Sequence, residues 1–256
     1  MKDFYNALAP FYDTIGGRVD YAAWADFYEE CFRRHASAPV ESVLDLGCGT
    51  GNMTLELGRR GYDMIGVDNA ADMLSVARER AEREKISGRV LLLCQDMCEF
   101  ELYGTVDAVV STLDCINHVT DRKKLSRLFH WVHNYLNPNG LFLFDLNTPY
   151  KFENVYGERA YLLEEEGVVC AWQNCYRKKS GVCDFYISLF TEEEDGRYAR
   201  EDISRRERVY TLKAIERLLR ENGLELIFVA GDFDFSAPKE DCERYYLAAR
   251  AVKEVL

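Results

Sequence analysis

The sequence predicts an α/β fold: a seven-stranded, mostly parallel sheet with an antiparallel C-terminal edge strand, plus a small inserted antiparallel β lobe. Three observations predict it. From Val40 to about residue 149, short apolar runs alternate with helix-period segments, the rhythm of a parallel sheet covered on both faces. Between about 150 and 210 that rhythm gives way to three strand-like runs separated by turn residues. After residue 210 one helix and two further strands follow.

The elements can be justified in order. Tyr21, Trp24, Ala25, Tyr28 and Phe32 follow the spacing of one helix face. Ahead of them Tyr5, Leu8 and Tyr12 make a shorter stripe, interrupted by Pro10 and ended by Gly16-Gly17. Strands are expected near 42–47, 63–68, 90–95, 106–111 and 140–146. The helix after Asp68 has Asn69 as candidate N-cap with Asp72 three residues on, and buries Met73, Leu74 and Ala77. The helix after Asp121 carries Leu125, Leu128, Phe129, Val132 and Leu136 on one side and stops at Asn137-Pro138-Asn139-Gly140.

The inserted runs are Val168–Arg177, Val182–Thr191 and Tyr198–Tyr210, with Lys179-Ser180-Gly181 and Glu194-Asp195-Gly196 as turns. Cys183, Phe185, Ile187 and Leu189 share a parity, so one face of the middle strand is apolar. A last helix, capped by Thr211 and closed by Gly223, leads to strands at 224–231 and 244–251 that pair as a hairpin at the sheet edge. The chain thus divides into an N-terminal helical lid (1–39), a sheet domain (40–149 and 211–256) and an inserted lobe (150–210).

Composition narrows the class. A chain of 256 residues with 48% hydrophobic content can bury one substantial core and a small lobe. No apolar run approaches the ~20 residues that cross a bilayer, and Met1-Lys2-Asp3-Phe4-Tyr5 lacks the order of a signal peptide. Nine cysteines without an export signal read as reduced thiols in a cytosol. A net charge of −12 argues against a general nucleic-acid or anionic-membrane surface. The expectation is a cytoplasmic protein with neither nucleic acid nor membrane as partner; a homodimer is compatible with it.

The most informative segment is Val43 to Gly51, Val-Leu-Asp-Leu-Gly-Cys-Gly-Thr-Gly, an apolar run stopping in three alternate glycines. The run reads as a buried strand, and the glycines allow a tight turn and a close approach to a ligand. Asp68 ends the next apolar run, where a carboxylate can take a ribose diol. A dinucleotide fingerprint is Gly-x-Gly-x-x-Gly, but here Gly47, Gly49 and Gly51 put the third glycine one place early. Asp45 also sets a carboxylate before the turn, which suits a ligand with a cationic end better than a pyrophosphate. The segment closely resembles the cofactor loop of the Rossmann-like (class I) S-adenosylmethionine (SAM) methyltransferases, whose Glu/Asp-x-Gly-x-Gly-x-Gly signature is met in full.

That resemblance implies an enzyme with SAM as methyl donor and S-adenosylhomocysteine (SAH) as product. It implies cofactor contacts from Asp45, Gly47, Cys48, Gly49, Gly51, Asp68, Asn69 and Ser111, with Met73 under the adenine. It also carries the adenine-amino pair to Asp96 and Met97, although Asp96 can equally cap a turn. The fourth strand runs out into Ser111-Thr112-Leu113-Asp114-Cys115-Ile116-Asn117-His118, where methyl donor and acceptor should meet. Methyl transfer needs alignment and a free lone pair; a protonated amine has none, and a base with pKa near 7 would release one. His118 suits that work, and it can also be a hydrogen-bonding helix cap.

Tyr12-Asp13 followed by Asp20-Tyr21 looks like the lid of N-methyltransferases acting on nucleotide-linked amino sugars, a short motif shared with glycine-type N-methyltransferases. On that likeness Tyr12 contacts the cofactor or orients the acceptor, and His118 is the base. Trp24 and Tyr28 read better as helix packing.

Three other signals carry less. Asn147-Thr148-Pro149-Tyr150 is similar to the Asn-Pro-Pro-Tyr motif of methyltransferases modifying exocyclic amino groups, but follows the fifth strand and has Thr for the first Pro. Cys170 and Cys175 point to opposite faces of a strand, so no metal is expected. Arg206 and Arg208 share a face and could grip an anion, yet Glu201, Asp202 and Glu207 are interleaved, favouring a salt-bridged strand. The reading is methyl transfer to a small-molecule acceptor, an amine by preference. The alternatives are a small-molecule O-methyltransferase and a SAM-binding regulator or scaffold without turnover. The strand-end motifs show no evident carboxylate cluster for Mg²⁺, which disfavours catechol-type O-methylation.

Overall fold

The computed structural model of the chain describes residues 19–165 and 167–253. Its first strands and helices alternate: α1 (Tyr21–His35), β1 (Ser42–Leu46), α2 (Asn52–Arg59), β2 (Asp63–Asp68), α3 (Ala71–Arg83), β3 (Val90–Cys94) and β4 (Val106–Ser111). A four-residue helix α4 (Cys115–His118) and α5 (Arg122–Tyr135) precede the long β5 (Leu136–Asn147). A π-helical turn at Lys151–Tyr156 opens the insertion, β6 (Ala160–Glu165), β7 (Val168–Arg177), β8 (Val182–Glu192) and β9 (Tyr198–Arg208). The chain returns through α6 (Leu212–Glu221), β10 (Leu224–Ala230) and β11 (Arg244–Ala251).

The large sheet has the order β3-β2-β1-β4-β5-β11-β10. β11 is antiparallel to both of its neighbours, and the other paired strands of this sheet run parallel. The C-terminal pair is the expected edge hairpin; its antiparallel strand lies on the inner side, against β5, and β10 forms the rim. Alternating side chains feed two cores, as a sheet covered on both faces requires. Leu44, Val109, Phe142 and Phe144 pack with Leu125 and Phe129 of α5 and Ile215 and Leu219 of α6. Val43, Ala108, Leu141 and Leu143 face Trp24, Phe27 and Tyr28 of α1 and Met53 and Leu57 of α2. Removing Phe129 from water alone contributes about 2–3 kcal/mol.

Several helix ends follow the local chemistry. The side chains of Asp121 and Thr211 accept hydrogen bonds from first-turn N–H groups of α5 and α6. At α3 the expected cap fails: Ala70 is the N-cap residue, and Asp68 Oδ1 instead accepts from Ala70 N at 2.8 Å. Asp68 thus holds the N–H just ahead of the helix, and Asn69 is exposed.

The inserted sheet has four strands in the order β6-β7-β8-β9, one more than the sequence shows. Its inner face sets Cys170, Ile187, Leu189 and Ile203 against Ala70 and Met73 at the start of α3. The lobe is therefore anchored on the helix that follows β2. Of the N-terminal segment, residues 21–35 form a helix whose Trp24, Phe27 and Tyr28 are core residues. Tyr5, Leu8 and Tyr12 lie outside the described residues. Among the described residues no helix is long and apolar enough to cross a membrane.

Candidate active site

The chain passes from β1 to β2 and β3 on one side of the sheet, then crosses to β4 on the other. That reversal opens a crevice at the carboxyl ends of β1 and β4, where open α/β sheets bind ligands. A cavity of about 390 Å³ lies there. Its floor is the glycine turn. Gly47 N and Cys48 N donate to Val67 O at 2.8 and 3.1 Å, tying the turn to β2. Gly49 N donates to Asp68 Oδ2 at 2.9 Å. Gly49 has φ +53°, and a Cβ built on it meets nothing within 4 Å. The missing side chain thus leaves space on the cavity side, while the backbone conformation is one that glycine adopts readily.

Asp45 lies on the cavity wall and is 1% exposed. Burial pushes its carboxyl up to about 7, and the 2.6 Å hydrogen bond from Thr54 Oγ1 only partly opposes this. A carboxylate on this wall is complementary to a cationic group, and the SAM amino-acid end carries one. Met73 and Met97 add apolar wall, and Asp68 and Asp96 place carboxylates at the ends of β2 and β3. The donor set fits SAM.

Asp45, Gly47, Cys48, Gly49, Asp68, Asn69, Met73, Asp96, Met97 and His118 all line this one cavity. Met73 also packs against the inserted sheet, and Asp96 Oδ1 caps a turn by accepting from Cys98 N at 2.8 Å. Gly51 and Ser111 do not line it. Gly51 stands at the N-terminus of α2, where a Cβ would come within 2.8 Å of Ala77 on α3. Ser111 is fully buried and donates to Leu46 O at 2.9 Å, pinning β4 to β1. Both support the turn from behind. Tyr12 lies outside the described residues, whereas Tyr21 lines the cavity.

The far end of the cavity is built on α4. Leu113 and Asp114 precede it with φ of 62° and 54°, an unusual pair of left-handed non-glycine residues. Asp114 N donates to Asp145 Oδ2 at 2.8 Å, and Arg244 on β11 clamps Asp114 and Asp145 together. Asn117 donates to Arg208 O at 2.9 Å and accepts from Asn147 N at 3.0 Å, locking α4 to β9 and β5. This clamp aims His118 at the cavity.

His118 Nε2 lies 3.8 Å from Asp114 Oδ2 and 3.9 Å from Glu207 Oε1. Burial, and next the Arg205 guanidinium, push its imidazole down to about 4, against the pull of Asp114. The near-neutral histidine expected from the sequence is instead an uncharged one that holds a proton weakly. Asp114 is buried, which alone would raise it, yet Arg244, then His118 and Arg205, hold it well below the carboxylate range.

The buried network of Asp114, Asp145, Glu207, Lys151, Arg205 and Arg244 has no motif in the sequence. The grouping of Asp114 and Glu207 around His118 is also the acidic cluster that the strand-end motifs did not reveal. One signal was available: Ile203, Arg205 and Glu207 share a parity, the inward one. Arg206 and Arg208 are not an anion grip. Arg206 pairs with Asp184 at 2.5 Å, and Arg208 donates to the backbone oxygens of Thr120 and Ser180.

The fold and this crevice define a Rossmann-like nucleoside-cofactor enzyme, and comparison with known proteins gives its family. A methyltransferase-domain model matches residues 43–140. A Geobacillus kaustophilus protein named as an uncharacterized methyltransferase is 32% identical over 166 residues, covering 64% of this chain and 74% of that protein. The crystal structure of a SAM-dependent methyltransferase from Clostridium acetobutylicum is 29% identical with a TM-score of 0.86, covering 97% of this chain and 99% of that one. The sugar N-methyltransferase KedS8 from Streptoalloteichus shares the fold, with 19% identity, a TM-score of 0.74, and 99% and 94% coverage. The chain belongs to the class I SAM-dependent methyltransferases. It is an enzyme, and its cofactor is SAM.

Proposed function

We propose that this methyltransferase acts on the nitrogen of a small-molecule amine, with the acceptor meeting the cofactor beside His118. The observation that supports the reading is a single cavity whose lining holds both the glycine turn and His118. In this reading Asp45 holds the cationic amino-acid end of SAM, and Gly47, Cys48 and Gly49 let the backbone approach it. Asp68 and Asn69 take the ribose, while Met73, Asp96 and Met97 hold the adenine. When bound, SAM supplies a methyl group on a positively charged sulfur. The protein's part is to orient the acceptor, exclude water and provide a place for the acceptor's proton. The inserted lobe, taken as 150–210, closes the acceptor side. KedS8 is a sugar N-methyltransferase on this same fold, so the fold accommodates that chemistry.

The test uses His118→Ala with methyl-labelled SAM and a metabolite extract, the products read by mass spectrometry. The expected outcome is unchanged SAM affinity with turnover at neutral pH reduced roughly 10²-fold or more, and label on nitrogen in the wild-type products. Unchanged turnover removes His118 from the acceptor site; label found only on oxygen overturns the N-methyl reading.

A further inference from the structure

Beside the cavity, where His118 is a lining residue, three titratable side chains face one another. One carboxylate oxygen each of Asp114 and Glu207 and one imidazole nitrogen of His118 lie within 4.8 Å of one another, and His118 Nε2 stands 3.8 Å from Asp114 Oδ2 and 3.9 Å from Glu207 Oε1. Each carboxylate oxygen is too far from the imidazole nitrogen for a direct hydrogen bond. The Glu207 side chain is 0% exposed, and its Oε1 has no hydrogen-bond partner. Arg205 lies 3.3 Å from that oxygen as an ion pair, and Asn147 Nδ2 donates to the other oxygen, Oε2, at 3.3 Å. A buried acceptor left without a donor is costly, so a site of this kind is completed by one.

We infer that these three atoms form the seat of the acceptor's protonated amine, and that Glu207 takes the proton that must leave before the nitrogen can be methylated. The inference rests on the N-methyl reading above. An alkylammonium brings hydrogen-bond donors and one positive charge to a place walled by two carboxylates, one of which has an oxygen that accepts no hydrogen bond. A divalent cation suits the place less well: Arg205 stands 3.3 Å from Glu207 and Arg244 3.0 Å from Asp114, so the carboxylates are already faced by two guanidinium groups. The proton step is simple. One N–H bond of the ammonium breaks, its electron pair stays on nitrogen as the lone pair, and the proton forms an O–H bond with Glu207 Oε1.

The electrostatics agree. Burial holds the Glu207 carboxyl above the ordinary carboxylate range, with Arg205 opposing and Asp114 reinforcing. His118, down at about 4, is the weaker proton acceptor of the two. The groups facing Glu207 are Asp114 and His118 at α4, Arg205 on its own strand, Asn147 on β5, Lys151 and Tyr156 of the π-helical turn, and Cys183 on β8. Lys151 is itself lowered by burial and by Arg244.

The experiment titrates SAH-saturated protein with methylammonium chloride and follows the imidazole nitrogens by NMR; only four histidines must be distinguished. In the wild type the His118 signals should shift saturably. Glu207→Gln keeps the side-chain volume and removes the charge; it should weaken that binding roughly tenfold or more while SAM affinity by calorimetry stays within twofold. With an amine acceptor the same variant should lose kcat and the limb of its pH–rate profile that reports Glu207. Glu207→Asp should restore part of kcat, and its shifted pH limb provides the readout if the Gln variant does not fold. Methylammonium that binds both proteins equally, or Mn²⁺ alone broadening the His118 signals where methylammonium leaves them unmoved, overturns the inference. Label on nitrogen with an unaltered kcat in Glu207→Gln overturns it while leaving N-methylation standing; label on oxygen alone overturns both.

Discussion

In the proposed reading, Asp45 is a buried group that ties cofactor binding to pH. With its carboxyl up at about 7, Asp45 is largely protonated in the free protein at pH 5.5 and must lose that proton to hold a cation. SAM affinity should therefore rise roughly twentyfold between pH 5.5 and 7.5. Asp45→Asn should bind more weakly and lose most of that dependence, as read by calorimetry at both pH values. The turn residues around Asp45 were legible in the sequence because a tight turn writes its needs locally, as glycines at fixed offsets. Glu207, Arg205 and Arg244 were not, because nothing local marks them. Arg244 meets Asp114 across 130 residues of chain, and only the assembled sheets bring the two together. Ser111 misled for a related reason: a strand-end serine can face the crevice or the next strand, and its hydrogen bond to Leu46 O decided it.

At the scale of elements, legibility followed the strength of the periodic pattern. α1, α5 and α6 carry full apolar stripes and adopt the expected helices. β6 was missed, since Ala160-Tyr161-Leu162-Leu163-Glu164-Glu165 has no clean alternation. It is a strand because it pairs with β7, from Ala160 opposite Gln173 to Glu165 opposite Val168. Asn69 does not cap α3, because the helix starts one residue later, with Ala70 as its N-cap residue and no side-chain cap. Where the cap was read correctly, its contribution can be measured. Thr211→Ala removes the hydrogen bond to Ala214 N and should cost about 1 kcal/mol of stability in urea unfolding. SAM affinity should not change, because α6 packs against α5 and the sheet, away from the cavity lining.

The whole molecule carries its strain in buried charge. Asp45 and Glu207 both have raised carboxyls, so each contributes stability that is fully present below the ordinary carboxylate pKa and lost as pH rises through the folded-state value. The imidazoles of His35 and His118 are lowered, so their effect runs the other way but is complete above about 6.5. The melting temperature of the cofactor-free protein should therefore fall from pH 6.5 to pH 8. The double variant Asp45→Asn, Glu207→Gln should flatten that slope in calorimetric scans. A wild-type melting temperature that climbs over this range contradicts the assignment.

The placement of β11 also bears on how a newly made chain becomes an enzyme. This strand is translated after the other ten strands, yet it sits between β5 and β10 and delivers Arg244 to Asp114 and Asp145. On the ribosome the glycine turn can form early from residues 43–68, while the α4 end of the crevice waits for a residue some two hundred positions later. Until that strand arrives, the buried Asp114 and Asp145 carboxylates lack their guanidinium. A nascent chain can thus form its glycine turn before the clamp that fixes α4 is complete.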